Sequence, residues 1–352
     1  MKKLKLKFVD FWTPFTEMDE SYKTLYTIIT ENFPVEISDD PDYVICSCFG
    51  SEYLNYPDAV RILFLGENIF PNFNLYDYAI GFNYISFDDR YLRFPLYWLY
   101  ASDCEQAEKK HFFTGEGSAL KREFCGYVSS HVCDLRDGIF SSVNNYKVVS
   151  SGGPWMNNIG HVIGREISDK REFQKNYKFS LCSENSICNG YVTEKLLQGF
   201  SAGTVPIYLG AKTVQSDFNK KAFIDVSDFP SYEAAVEYIK TVDNDDALYL
   251  KMLREPAFSG VKSRTEALTD LLGFFTAIFS QNKKDAFRRH FDREWGIAMD
   301  INNQEKCMAV RQKYWRLKHL ENSILQKEYN TSIYPSGAKQ KLFDLFAAFF
   351  MK

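Results

Sequence analysis

Histidine is scarce, with five in 352 residues, and none falls in an HExxH pattern. The eight cysteines, at 46, 48, 104, 125, 133, 182, 188 and 307, form no CxxC pair. The ligand spacings of a zinc site are therefore missing. No run approaches 18 apolar residues, so no segment reads as a membrane-spanning helix. Surplus basic charge is missing too: 42 Lys and Arg face 46 Asp and Glu, for a net charge of -4. That balance makes a poor general binder of nucleic acid, whose phosphates need an excess of Lys and Arg. The start, Met1 to Lys7, alternates Lys with Leu. It has no unbroken apolar core of roughly 7–15 residues such as an export signal carries. The expectation is a cytoplasmic chain with free thiols.

Aromatics are plentiful at 16%, with 31 Phe and 22 Tyr. They predict large buried clusters and stacking surfaces for a ring-shaped ligand. The length exceeds one typical core and suggests two domains with additions. Apolar residues at 45% and charged residues at 25% are ordinary globular values.

Strand and helix patterns alternate along the chain. Leu4 to Trp12 reads as a strand. Asp19 to Phe33 places Tyr22, Leu25, Tyr26, Ile28 and Ile29 at helical spacing, and Pro34 stops it. Val44–Cys46, Arg61–Leu65 and Tyr78–Phe82 are short apolar runs. Strands separated by helical stretches predict a parallel sheet with crossover helices. Residues 102–124 are polar, and Phe124–Val128 and Tyr146–Val149 bracket a helix. Ser150–Pro154 is the clearest break. Beyond it come a strand over Tyr177–Cys182, a helix over Thr193–Ala202 and strands over Thr204–Leu209 and Phe223–Val226. An amphipathic helix follows over Ser231–Val242. The reading is two Rossmann-like units, 1–149 and 150–282, and a helical tail, 283–352.

The stretch Asn185 to Gly203 lies between two strands. A polar, Gly-containing loop feeding a helix N-terminus presents free amides and a positive dipole, which suits phosphate. Thr193 can cap that helix. Lys195 adds a full charge, Glu194 can accept from ribose hydroxyls, and Tyr191 offers a flat face. The plainer alternative is a surface helix with a Glu and a Lys in its first turn. Leu65-Gly66-Glu67-Asn68 directly follows an apolar strand, where ligands of parallel sheets bind. A carboxylate there can serve as a general base; alone, an exposed acid in a turn is the better reading. Asp40-Pro-Asp42 looks like a metal-binding DxD but precedes a strand, so a turn is the better reading. Arg136 opens a helix and by itself is a surface arginine.

Together these blocks resemble the bacterial α-1,3/4-fucosyltransferases of glycosyltransferase family ten. The resemblance rests on Phe64–Asn68, Pro71–Phe82 and Asp88–Tyr97 in the first unit. In the second it rests on Tyr177–Asn185, Gly190–Lys195, Pro206–Gly210 and Ser227–Ser231. It runs from about residue 4 to 282 and implies an α/β GT-B fold, two facing Rossmann-like domains with GDP-fucose on the second. It implies inverting transfer to the GlcNAc 3-OH or 4-OH of a lactosamine-type glycan, giving Lewis-type structures, with no metal or other cofactor required. By motif position Glu67 is the general base. Tyr191, Glu194 and Lys195 fall on donor contacts, with Asn185 beside them and Arg136 on the diphosphate. GDP leaves readily, so holding its growing charge matters more than protonating it. The chain departs from the family before that arginine: Ser130-His131-Val132-Cys133-Asp134-Leu135 stands where Ser-Asn is usual. No heptad repeat precedes the tail. Leu342, Phe343, Leu345, Phe346, Phe349 and Phe350 form one helical face flanked by Lys339, Lys341 and Lys352. Its own domains, a second copy in a homodimer, or the inner membrane could cover it.

Overall fold

In the computed structural model, which describes residues 3–109, 116–164, 166–289 and 313, the chain forms two parallel sheets. The first begins with β1 (Leu4–Val9) and α1 (Glu20–Asn32). The Asp19 carboxylate accepts from the Tyr22 amide at 2.8 Å and caps α1, whose Tyr22, Leu25 and Ile29 are buried. Then follow β2 (Val35–Ile37), β3 (Tyr43–Cys46), β4 (Val60–Phe64), β5 (Tyr78–Gly81) and β6 (Tyr91–Arg93). The order is β2-β1-β3-β4-β5-β6, parallel at every pairing. β3, β4 and β5 are buried throughout, as strands covered on both faces must be.

After α2 (Ala101–Lys109) and α3 (Glu116–Ala119), the second sheet starts at β7 (Glu123–Tyr127). It continues through α4 (Asp134–Tyr146), β8 (Val149–Ser151), α5 (Ile167–Gln174) and β9 (Tyr177–Ser183). α6 (Glu194–Ser201), β10 (Val205–Leu209) and β11 (Ile224–Asp225) complete it in the order β11-β10-β9-β7-β8. α7 (Tyr232–Asn244) and α8 (Asp246–Arg254) close its outer face.

Three expectations need correction. The boundary expected at 149/150 would cut β8; it lies instead between β6 and β7, because β7 pairs with β9 and with β8 inside the second sheet. No α-helix joins β3, β4, β5 and β6; their connections are loops and single 3₁₀ turns. Helical cover comes instead from α1 and from α9 (Arg264–Phe279), which belongs to the first unit rather than to 150–282. Phe279 packs edge-on against Phe33 and Tyr43, and Phe274 against Tyr78. Arg289 follows, buried, with its amide on Asp77 and its guanidinium on the Ala59 carbonyl. Beyond residue 289 the tail, with the homodimer and membrane readings attached to it, lies outside the described residues, except for Lys313. Among the described residues no helix is long and apolar enough to cross a membrane, and the seven cysteines are free thiols.

The units share a core. α2 packs on α6, and Leu196, Leu197 and Phe200 join the same apolar cluster as β3 and β4. Arg93 at the end of β6 grips Asp217 of the second unit through two bonds of 3.0 and 2.7 Å. A bidentate pair of this kind fixes orientation as well as charge.

Candidate active site

Parallel strands end on one edge, so whatever follows β4 lies near whatever follows its neighbours. Glu67 stands three residues past β4 and is half-buried. Its Oε2 accepts from Asn185 Nδ2 at 3.1 Å and from the Tyr191 hydroxyl at 3.3 Å. Beside it, Asn68 donates to Ser186 at 2.8 Å. All three partners come from the loop between β9 and α6, so the carboxyl edges of the two sheets face each other. Gly190 sets that loop. It has φ +88, and a Cβ there would sit 2.3 Å from the Phe82 carbonyl at the end of β5. Only glycine permits both.

Tyr191 does not offer its face to solvent, as its position in the loop suggests. It is 1% exposed, its ring packs edge-on against Phe82, and only its hydroxyl reaches Glu67. Burial first, then the acids at 184, 67 and 194, push its phenol far above the ordinary range.

The second cluster gathers at the N-terminus of α6. Glu184, fully buried just past β9, is its organiser. Its carboxylate accepts from the Thr193 amide at 2.8 Å and the Thr193 hydroxyl at 2.7 Å, and lies 3.3 Å from Lys195 Nζ. Thr193 therefore spends its hydroxyl on Glu184 and makes no side-chain cap, contrary to expectation. The first-turn amides of α6 keep no side-chain partner from it, the arrangement that suits an anion. Lys195 also bonds Thr193 Oγ1 at 2.9 Å and Glu194 at 3.2 Å. Burial lowers the Lys195 pKa, but Glu194 and Glu184 outweigh it and the net shift is upward, so the ammonium stays charged. Burial pushes the Glu194 carboxyl up, while Lys195 and Lys170 more than offset it and hold it at about 2. An ionised carboxylate accepts hydrogen bonds only, which suits sugar hydroxyls.

Arg136, in the first turn of α4, is anchored by its Nε on the Ser183 carbonyl at 3.1 Å. With Glu194 and Lys195 it lines a cavity of about 220 Å³. Ser130 and His131, where the sequence departs from the usual pattern, line it as well. Asn185 and Tyr191 do not; they belong to the Glu67 cluster. The six candidate residues thus divide into two adjoining groups. Asp40-Pro-Asp42 is remote from both. It precedes β3, on the opposite edge of the sheet, and its acids pair with Lys5 and Lys283. Among the described residues no group of three or more His, Cys, Asp or Glu is placed to hold a metal ion.

Four residues of the site were missed. Glu184 carried the same signal as Glu67, an acid just past an apolar strand. Tyr127, Lys170 and Gln174 carried none. All three line the cavity, and the Tyr127 hydroxyl and Gln174 Oε1 are buried with no hydrogen-bond partner.

Two facing α/β units with parallel sheets, and a charged cavity at the carboxyl edge of the second, form the GT-B architecture found among glycosyltransferases. A family model for the N-terminal domain of α-(1,3)-fucosyltransferase FucT matches residues 6–100, and one for the C-terminal part of glycosyltransferase family 10 (fucosyltransferase) matches residues 121–270. The chain is 32% identical to Helicobacter pylori α-(1,3)-fucosyltransferase FucT over 321 residues, 79% of this chain and 66% of that protein. It is 29% identical to a Xenopus tropicalis GDP-fucose protein O-fucosyltransferase 3, covering 51% of its length. A crystal structure of an α1,3-fucosyltransferase superposes with TM-score 0.69 at 30% identity, covering 80% of this chain and 91% of that one. A crystal structure of an α1,3-fucosyltransferase with GDP-fucose superposes with TM-score 0.65, also at 30% identity. The chain belongs to glycosyltransferase family 10, the fucosyltransferases.

Proposed function

We propose that this chain transfers L-fucose from GDP-fucose, with inversion, to the GlcNAc hydroxyl of lactosamine-type glycans, at the 3-OH or 4-OH, giving Lewis-type products. The observation that carries the reading is the division of the site. One carboxylate, Glu67, comes from the first unit and is held by Asn185 and Tyr191, while the neighbouring cavity with the cations Arg136 and Lys195 belongs to the second. In this reading the diphosphate lies against Arg136, Lys195 and the α6 amides, which hold charge as the bond to fucose breaks. Glu194 takes the ribose hydroxyls. The fucosyl carbon passes through an oxocarbenium-like state, as in glycoside hydrolysis. Glu67 accepts the acceptor hydroxyl's proton on the face opposite GDP, steadied by Asn185 and Tyr191. The charge on the leaving group is met by side chains and amides, so no divalent cation is required.

Incubating the purified chain with GDP-fucose and with other nucleotide sugars, on type 1 and type 2 lactosamine, tests this. The expected product carries α-fucose on GlcNAc, by NMR, and forms equally in EDTA. Transfer from another nucleotide sugar alone would overturn the donor assignment. Loss of turnover in EDTA restored by manganese would overturn the metal-free chemistry.

A further inference from the structure

A second cavity, about 520 Å³, opens at the carboxyl end of β1. Its wall is Phe11, Trp12 and Phe15, and its rim carries Lys7, Asp10 and Glu52. The fold does not account for its openness, since Phe15 stands 42% exposed. The wall is nevertheless rigid. Phe11 stacks on Tyr22 with ring centroids 4.0 Å apart, and Trp12 donates its indole N–H to Asp19, the cap of α1. Asp10 turns the chain with φ +61, and the amides of Glu52 and Tyr53 hold its carboxylate at 2.9 and 3.0 Å.

The groove adjoins the reaction centre. The six-membered ring of Trp12 lies 3.1–3.2 Å from where a Cβ of Gly66 would be, and Gly66 immediately precedes Glu67. β1 and β4 are separated by β3 alone, two strand spacings or roughly 10 Å. That is the scale of a few linked sugar rings. Flat aromatic walls receive the C–H faces of sugars, and acidic rims accept their hydroxyls. The same acids repel a fatty chain's headgroup phosphate or an acidic peptide.

We infer that this groove is an outer acceptor subsite, holding sugar rings of the glycan beyond the one that reacts. The inference rests on the transfer reading above and adds the length of acceptor that the enzyme grips. It is tested with the full chain on N-acetyllactosamine and on the hexasaccharide of three such repeats. The wild-type protein should prefer the hexasaccharide in kcat/KM through a lower KM. Phe15→Ala should erase about five- to tenfold of that preference, the size of one lost aromatic contact, and Phe15→Trp should restore it. Disaccharide turnover and GDP affinity should be unchanged, whereas a merely structural defect would lower both. No length preference in the wild-type protein, or equal losses on both glycans, would overturn the subsite. Saturation-transfer NMR of the GDP-bound protein with the hexasaccharide needs no turnover. Contacts to distal rings without transfer would sink the transfer reading alone. Transfer without distal contacts would sink the subsite alone.

Discussion

The two sheets are both parallel, yet they equip the cleft differently. The C-terminal sheet delivers charge in bulk: Arg136, Glu194 and Lys195, with the buried Glu184 holding Thr193 and Lys195 in place. The N-terminal sheet delivers one acid, Glu67, among aromatic rings, and borrows its hydrogen-bond donors from the opposite unit. A charged ligand part needs several fixed opposite charges, whereas a proton transfer needs one positioned group. The contrast therefore sorts the residues by the step each would serve. Disturbing one side should leave the other's step intact.

The largest effect is expected on the single-residue side. Glu67→Gln should lower kcat by about 10²–10⁴-fold, the usual range for losing a general base. Near-normal turnover would remove Glu67 from that role.

Next comes the organiser of the other side. Glu184→Ala leaves the buried Thr193 donors without their acceptor and Lys195 with Glu194 as its remaining acid, which costs about 1–3 kcal/mol of folding stability, the penalty for unpaired buried polar groups. Urea unfolding reads the loss. A change below about 1 kcal/mol, the scale of a surface pair, would show that Glu184 is a bystander.

Lys195→Ala, and Arg136→Ala beside it, should weaken GDP binding by about 1.5–3 kcal/mol each, the size of a hydrogen bond to a charged group. Unchanged affinity at fixed salt would take that residue off the diphosphate.

Glu194 sharpens the comparison through pH. Its folded-state pKa, about 2, lies below the ordinary 4.5. Its ionisation therefore stabilises the fold above about pH 4.5, and that contribution is lost as pH falls towards 2. The stability gap between the wild-type protein and Glu194→Gln should close over this window. A gap independent of pH would contradict the ion pairing.

The smallest effect is at Gln174. Its buried Oε1 has no hydrogen-bond partner, and the residue lines the cavity beside Arg136 and Lys195. Gln174→Leu should weaken GDP binding by about 1 kcal/mol, one neutral hydrogen bond. No change in calorimetry would leave Gln174 as lining only.

Much of this was legible in the sequence, for physical reasons. Runs such as Arg61–Leu65 and Tyr177–Cys182 are apolar because parallel strands are covered on both faces, and they located β4 and β9. What lay beyond periodicity was partner choice. Nothing in Glu123–Tyr127 says which sheet it joins, and the apolar spacing of α9 is the same whichever unit it covers. Candidate residues were found where a motif marked them, but not their grouping: Tyr191 turned its ring into the core and Thr193 turned its hydroxyl to Glu184. α5 is a polar helix of eight residues, and nothing in its pattern distinguishes Lys170 and Gln174 from solvent-facing neighbours.

The division of labour between the sheets is tested most directly by titrating GDP into the wild-type protein, Glu67→Gln and Lys195→Ala in one calorimetry series at fixed salt. The account predicts that Glu67→Gln binds GDP within about twofold of wild type, while Lys195→Ala binds more than about tenfold more weakly. Equal weakening in both variants would show that Glu67 and Lys195 serve one undivided donor site, and would contradict it.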